Sequence, residues 1–232
     1  MSCQQKLQQK RFIPKFRDAS GEMYMLIRFR GDMYRRMCNA LSKEKRIMEE
    51  YNGELIGVAN SVNVVECSYK YPSDCGFALL KFDSERDGDH WLMSDPIFKQ
   101  QDWPNAADTL EISMFPLSYI PQENGYKTFH LTEICNVCDR NFQQNYVDKV
   151  APIMDKFGIR HGLVATDDVK DLRRTWIDRT AFVLINAYES MEQFRQFYDS
   201  VQYADLKRYR QETSHTTSIV FTIHNEHPST RK

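Results

Sequence analysis

Apolar residues occupy both faces of the extended segment 23–29, a pattern that predicts a strand buried on both sides. Behind it Met37, Leu41, Met48 and Tyr51 recur at helical spacing, residues 43–46 point mostly outward, and Gly53 ends the helix. Asp32 stands where a carboxylate accepts from the exposed amides of a first helical turn. Two extended segments follow, 54–59 and 62–69, then a loop at 71–74 and a strand over 77–82. A helical region at 85–107, broken at Gly88, Pro96 and Pro104, and a strand at 109–115 complete the first half.

The second half repeats this order. A strand at 128–134 leads to a helix capped by Asp139, with Phe142, Tyr146, Val150, Ile153 and Phe157 as its apolar stripe. Pro152 lies inside that stripe, where its missing N–H kinks or divides the helix. Strands are predicted at 159–165, 172–177 and 180–188. Ser190 and Gln193 then form a capping box for a helix carrying Met191, Phe194, Phe197 and Tyr198. A helix at 203–212 and a strand at 216–224 close the half.

The halves align through several anchors about 105 residues apart: 47–59 with 153–165, Phe77 with Phe182, and 91–97 with 197–203. The boundaries are a polar, basic tail (1–21), a first unit (22–116), a linker containing Pro121, Asn124 and Gly125 (117–126), a second unit (127–224) and a loose tail (225–232). A βαββαβ order is the ferredoxin-like arrangement, whose helices cover one sheet face only. Strands apolar on both faces need a second cover, and another sheet provides it. The expected fold class is therefore α+β, with two βαββαβ units whose antiparallel sheets pack face to face.

At this point the chain resembles the dimeric α/β-barrel superfamily. The second unit resembles a small, largely uncharacterised family of it through Val150-Ala151-Pro152 ahead of Phe157-Gly158, and through the run 197–203. The first unit matches in Tyr51-Asn52-Gly53, Val64-Val65-Glu66 and the run 91–97, while Leu172-Arg173 departs from Val65-Glu66. The resemblance implies an intramolecular barrel in place of the homodimer formed by single-copy relatives, with one pocket kept and the other lost. The superfamily includes cofactor-free monooxygenases, isomerases, haem-handling enzymes and domains without known activity, so fold alone assigns no chemistry.

Lys and Arg number 31 against 32 Asp and Glu, so no global basic field exists to hold nucleic-acid phosphates. No apolar run approaches the roughly 18–20 residues of a membrane span. Six cysteines are read as reduced thiols, and a cytoplasmic location is expected. A mitochondrial presequence would share the absence of acids before Asp18, but this segment is poor in serine.

The candidate site residues are ionisable or polar groups in predicted strands. His130 can act as base or ligand because imidazole titrates near neutrality, though its position also fits a satisfied core histidine. Glu133 is the second catalytic candidate; Arg28, Glu66, Thr132 and His161 complete the candidate pocket. Arg28 and Glu133 occupy equivalent positions and are expected to pair across the pseudo-twofold axis, fixing the register of the units. Glu66 is expected at a solvated edge, and His161 has no partner at short spacing. Cys135-Asn136-Val137-Cys138 is a lone CxxC without a second pair at metal spacing, so no metal is assigned. No glycine-rich phosphate loop or nucleophile elbow occurs, and no cofactor is assigned. The reading is a binding module for a small hydrophobic ligand. Its rivals are a cofactor-independent enzyme centred on His130 and a protein-binding scaffold.

Overall fold

The computed structural model describes residues 21–60, 62–67, 75–94, 110–117, 126, 128–159, 163–173 and 179–223. The first half contributes β1 (Met23–Arg30), α1 (Tyr34–Glu50), β2 (Gly53–Ala59), β3 (Val62–Cys67), β4 (Cys75–Phe82), α2 (Glu85–Ser94) and β5 (Leu110–Pro116). The second contributes β6 (Thr128–Cys135), α3 (Asp148–Lys156), β7 (Leu163–Thr166), β8 (Lys170–Arg173), β9 (Thr180–Tyr188), α4 (Met191–Tyr198), α5 (Val201–Thr213) and β10 (His215–Thr222). Each half thus holds one strand more than the six-element order expected.

The extra strands are exchanged. One antiparallel sheet runs β2-β4-β1-β5-β8 and the other β7-β9-β6-β10-β3, so β8 and β3 each extend the sheet built by the other half. The strand expected from residue 159 starts instead at Leu163, and residues 160–162 lie outside the described set. Read in the same direction, the two strand orders are equivalent, β1 matching β6, β4 matching β9 and β5 matching β10.

Alternation along the central strands sets the layers. Tyr24 and Leu26 of β1, with Phe77 and Leu79 of β4, meet Phe129, Leu131, Ile185 and Phe221 of the other sheet in one core; the Phe77 and Phe221 rings stack at 5.4 Å. The other face of the first sheet packs Met25, Ile27 and Phe29 against α1 and α2. That of the second packs Ile134, Leu184 and Val220 against α3, α4 and α5. Each buried Leu or Phe contributes about 1.5–3 kcal/mol, so the core between the sheets is a major source of stability.

Register corrects one alignment made from sequence. Arg28 lies opposite Phe77 and Glu133 opposite Val183, so Phe77 corresponds to Val183, not Phe182. Phe77 and Val183 face the opposing sheet, whereas Phe182 packs on the helix side. A slip of one residue turns a strand side chain to the other face.

Helix starts differ in their chemistry. Asp32 does not cap α1: a 3₁₀ turn over Gly31–Met33 puts it inside the first turn, Met33 holds the cap position, and the Asp32 carboxylate accepts from Arg30 at 3.3 Å. Asp139 accepts from the Asn141 amide at 2.9 Å, a wide π turn spans Gln143–Val147, and α3 follows with Pro152 inside it. Ser190 accepts from Gln193 N at 3.2 Å, while the Gln193 side chain reaches back to the amide of Glu189 at 2.9 Å. Ser200 caps α5 by accepting from Tyr203 N at 3.2 Å.

Candidate functional site

The helix-facing side of the second sheet carries a cluster of polar residues in its middle strands. Alternation puts His130 and Thr132 of β6 on this face. His130 is paired in register with Asn186 of β9, and Thr132 with Ser218 of β10; Tyr188 follows Asn186 on the same side. His130 is 1% exposed. Its Nε2 bonds Ser218 Oγ and lies 3.3 Å from Thr132 Oγ1, which in turn lies 3.3 Å from Ser218 Oγ. The Phe194 and Tyr198 rings of α4 cover the imidazole edge-on, at 5.0 and 5.6 Å.

Among the described residues nothing hydrogen-bonds His130 Nδ1 or Asn186 Oδ1, whereas the Tyr188 phenol is within reach of the Asn186 side chain. Burial, with the Arg210 charge as a second cause, lowers the His130 pKa to about 3, so the ring is neutral. Burial likewise raises the phenols of Tyr188 and Tyr146 well above their usual range. The group is neutral, and two of its buried polar atoms have no protein partner among the described residues.

A charged pair lies behind it. Arg210 of α5 is fully buried and donates twice to Glu66 of β3, at 3.1 and 2.8 Å. The Tyr198 hydroxyl also donates to Glu66, at 3.0 Å, and Tyr146 and Tyr203 share a hydrogen bond of 2.7 Å. Glu66 is therefore not at a solvated edge: its side chain is 14% exposed because Arg210 and Tyr198 close over it.

The matching middle-strand positions of the first sheet are apolar. Sheet register matches His130 to Met25, Thr132 to Ile27, Asn186 to Leu80, Tyr188 to Phe82 and Ser218 to Ile112. All five of these first-half residues belong to the helix-side core of that sheet. The same architecture thus forms with hydrocarbon at every position where the second half places a polar group.

The remaining candidates lie elsewhere. Glu133 is on the opposite face of β6 from His130, inside the core between the sheets, where Arg28 donates to it and, at 3.1 Å, to Glu111. All three are almost fully buried, so Arg28 and Glu133 pair across the sheets without belonging to the His130 group. His161 lies outside the described residues. Cys135 is a buried thiol at the end of β6, and no three His, Cys, Asp or Glu side chains among the described residues are placed to hold a metal. An apolar cavity of about 10 Å³ lies between the sheets, lined by Leu26, Phe77, Leu79, Phe129, Ile185 and Phe221 among others. Its volume is comparable to a single water.

Sequence reasoning missed Asn186, Tyr188, Ser218, Tyr198 and Arg210. The signal for the first three was the contrast between halves, visible only in the correct register.

Comparison with known proteins agrees with the fold. Residues 127–223, under half of the chain, match the family described as Domain of unknown function (DUF1330). An anthrone oxidase-like protein of known structure superposes with a TM-score of 0.54 at 13% identity, covering 91% of this chain and 97% of that one. A candidate monooxygenase from Lactobacillus acidophilus NCFM gives 0.49 at 10% identity, covering 87% and 93%. No curated protein matches by sequence. The likeness is one of fold: two antiparallel sheets with helices.

Proposed function

We propose that the second half carries a small-molecule-binding site at the His130–Asn186–Ser218 cluster, within a chain of two fused, ferredoxin-like units that close on each other as an internal pseudo-dimer. The equivalent strand orders and the core shared between the sheets support the pseudo-dimer. The observation that carries the binding reading is the contrast between the halves. A buried hydrogen-bonding atom left unpaired costs about 1–3 kcal/mol, and the first half fills the equivalent sheet positions with hydrocarbon, its own unpaired Trp91 Nε1 and Glu44 Oε2 lying on helices. A bound ligand accounts for them.

The cluster selects the ligand's chemistry. Arg210 is neutralised by Glu66 and His130 is neutral, so the site takes an uncharged compound. Asn186 Oδ1 accepts only, so the ligand must donate there, and the Phe194 and Tyr198 rings favour an otherwise apolar body. Both rings are on α4, which must move for entry. Exposed large apolar residues among those described, Val64, Met93 and Val201, are scattered, which favours a small ligand over a protein-docking face.

A second reading, proton transfer or oxygenation on such a compound, is favoured by the open His130 Nδ1. Protonating a ring with a pKa near 3 at neutral pH costs roughly 5 kcal/mol, so in the closed state His130 serves as a hydrogen-bonding group before it serves as a base.

Native mass spectrometry of the full chain tests the binding reading. The expected result is a small-molecule increment that disappears on denaturation and is absent from Asn186→Leu. A wild-type chain carrying no increment, and showing no shift of the Phe194 or Tyr198 resonances with a panel of neutral phenols, alcohols and amides, contradicts it.

A further inference from the structure

Glu66 reaches the polar cluster from the other half of the chain. β3 belongs to the first half in sequence but forms the edge of the second sheet, and its pairing with β10 puts Glu66 opposite Ser218, the hydroxyl that holds His130. The Glu66 carboxylate then takes both Nη groups of Arg210 and the hydroxyl of Tyr198, whose ring covers His130. Without that carboxylate, the fully buried Arg210 would keep, among the described residues, the neutral phenol rings of Tyr146, 5.7 Å away, and Tyr203 against its charge. A guanidinium buried without a counter-charge is strongly unfavourable.

Strand exchange alone does not demand an acid here. The equivalent edge position in the first sheet is Arg173, opposite Ile112, beside middle-strand positions that are apolar on the helix side. The carboxylate accompanies the polar cluster, not the exchange.

We propose that Glu66 is a positioning residue of the second-half site, lent by the first half, which pins Tyr198 over His130 and cancels the charge of Arg210. The site is then a composite of both halves. Residues 127–223 contain His130, Asn186, Tyr198 and Arg210 but not Glu66, so the first half serves as a fused partner although its own equivalent site is filled with hydrocarbon. This rests on the binding reading given above, but its test uses no ligand and so can fail independently.

The test places 3,5-difluorotyrosine at position 198 of the full chain, its more acidic phenol bringing the titration within the stable pH range, and follows it by ¹⁹F NMR. Among the described residues, the charged and titratable groups around Tyr198 are Glu66 on β3, Arg210, Lys207 and Tyr203 on α5, His130 on β6 and Tyr188 on β9. Burial, then Glu66, raise the Tyr198 phenol, whereas Arg210 opposes them. In Glu66→Gln the Arg210 charge stands uncompensated, and the phenol should ionise at least tenfold more readily. Glu66→Asp should restore most of the shift, and Glu66→Gln with Arg210→Met should return the titration towards wild type because burial persists. An unchanged titration in Glu66→Gln overturns the proposal. So does a double variant as perturbed as the single one, which would indicate general loosening. If Glu66→Gln does not fold, Glu66→Asp against wild type decides: a shift of threefold or more in the same direction supports the proposal, and none overturns it.

Discussion

A single ring nitrogen illustrates how costly the polar cluster is. His130 is neutral in the fold but protonates readily in the unfolded chain, so the unfolded state binds more protons between pH 6.5 and about 3. Stability from this residue is full above pH 6.5, falls as the pH drops and is fully lost below about 3; the loss at pH 5 is about 2 kcal/mol. His130→Met, which installs the residue of the first half, should abolish that part of the acid sensitivity. Urea denaturation at pH 7 and pH 5 checks it: the variant should lose less stability between the two than wild type. Equal losses would mean that the imidazole is not buried neutral. The candidacy of His130 was legible in the sequence as a titratable group in an apolar strand. Its partners were not, because hydrogen bonds from β10 and rings from α4 are set by pairings far apart in the chain.

Strands decide which residues meet. Local patterns located most helices and strands, since amphipathic spacing and glycine stops are read over a few residues, but the exchange of β3 and β8 left no local signal. The one-residue difference in offset did show in the anchors 47–59 with 153–165 and 91–97 with 197–203, which lie 106 apart, but it was not carried to the strand between them. Aligning Phe77 with Phe182 sets Asn186 against Lys81 and Ser218 against Ser113, polar against polar, and hides the contrast with Leu80 and Ile112 that the pairing register exposes. Arg28 and Glu133 were found by their common offset because β1 and β6 keep it. At the element scale these two join the sheets, with Glu111 as a third member. Arg28→Met, leaving two buried carboxylates without their cation, should destabilise the chain by about 3–5 kcal/mol. Adding Glu111→Gln and Glu133→Gln should recover most of it in denaturant titrations. A silent Arg28→Met would remove the pair from the forces that hold the sheets in register.

As a whole the molecule pairs a sheet whose middle-strand positions are filled with hydrocarbon with a sheet that places hydrogen-bonding groups at the same positions, His130 Nδ1 and Asn186 Oδ1 being unpaired among the described residues. That asymmetry separates the polar cluster from the strand framework, since both sheets set their strands in equivalent order. The most direct measurement converts the second half to the first: His130→Met, Thr132→Ile, Asn186→Leu, Tyr188→Phe and Ser218→Ile in one chain, compared with wild type for thermal stability and for bound small molecules by native mass spectrometry. Replacing a polar set by matched hydrocarbon is neutral or stabilising when the set is not needed for folding. The account predicts a converted chain at least as stable as wild type that has lost its ligand. A converted chain that is markedly less stable, or that binds as wild type does, contradicts it.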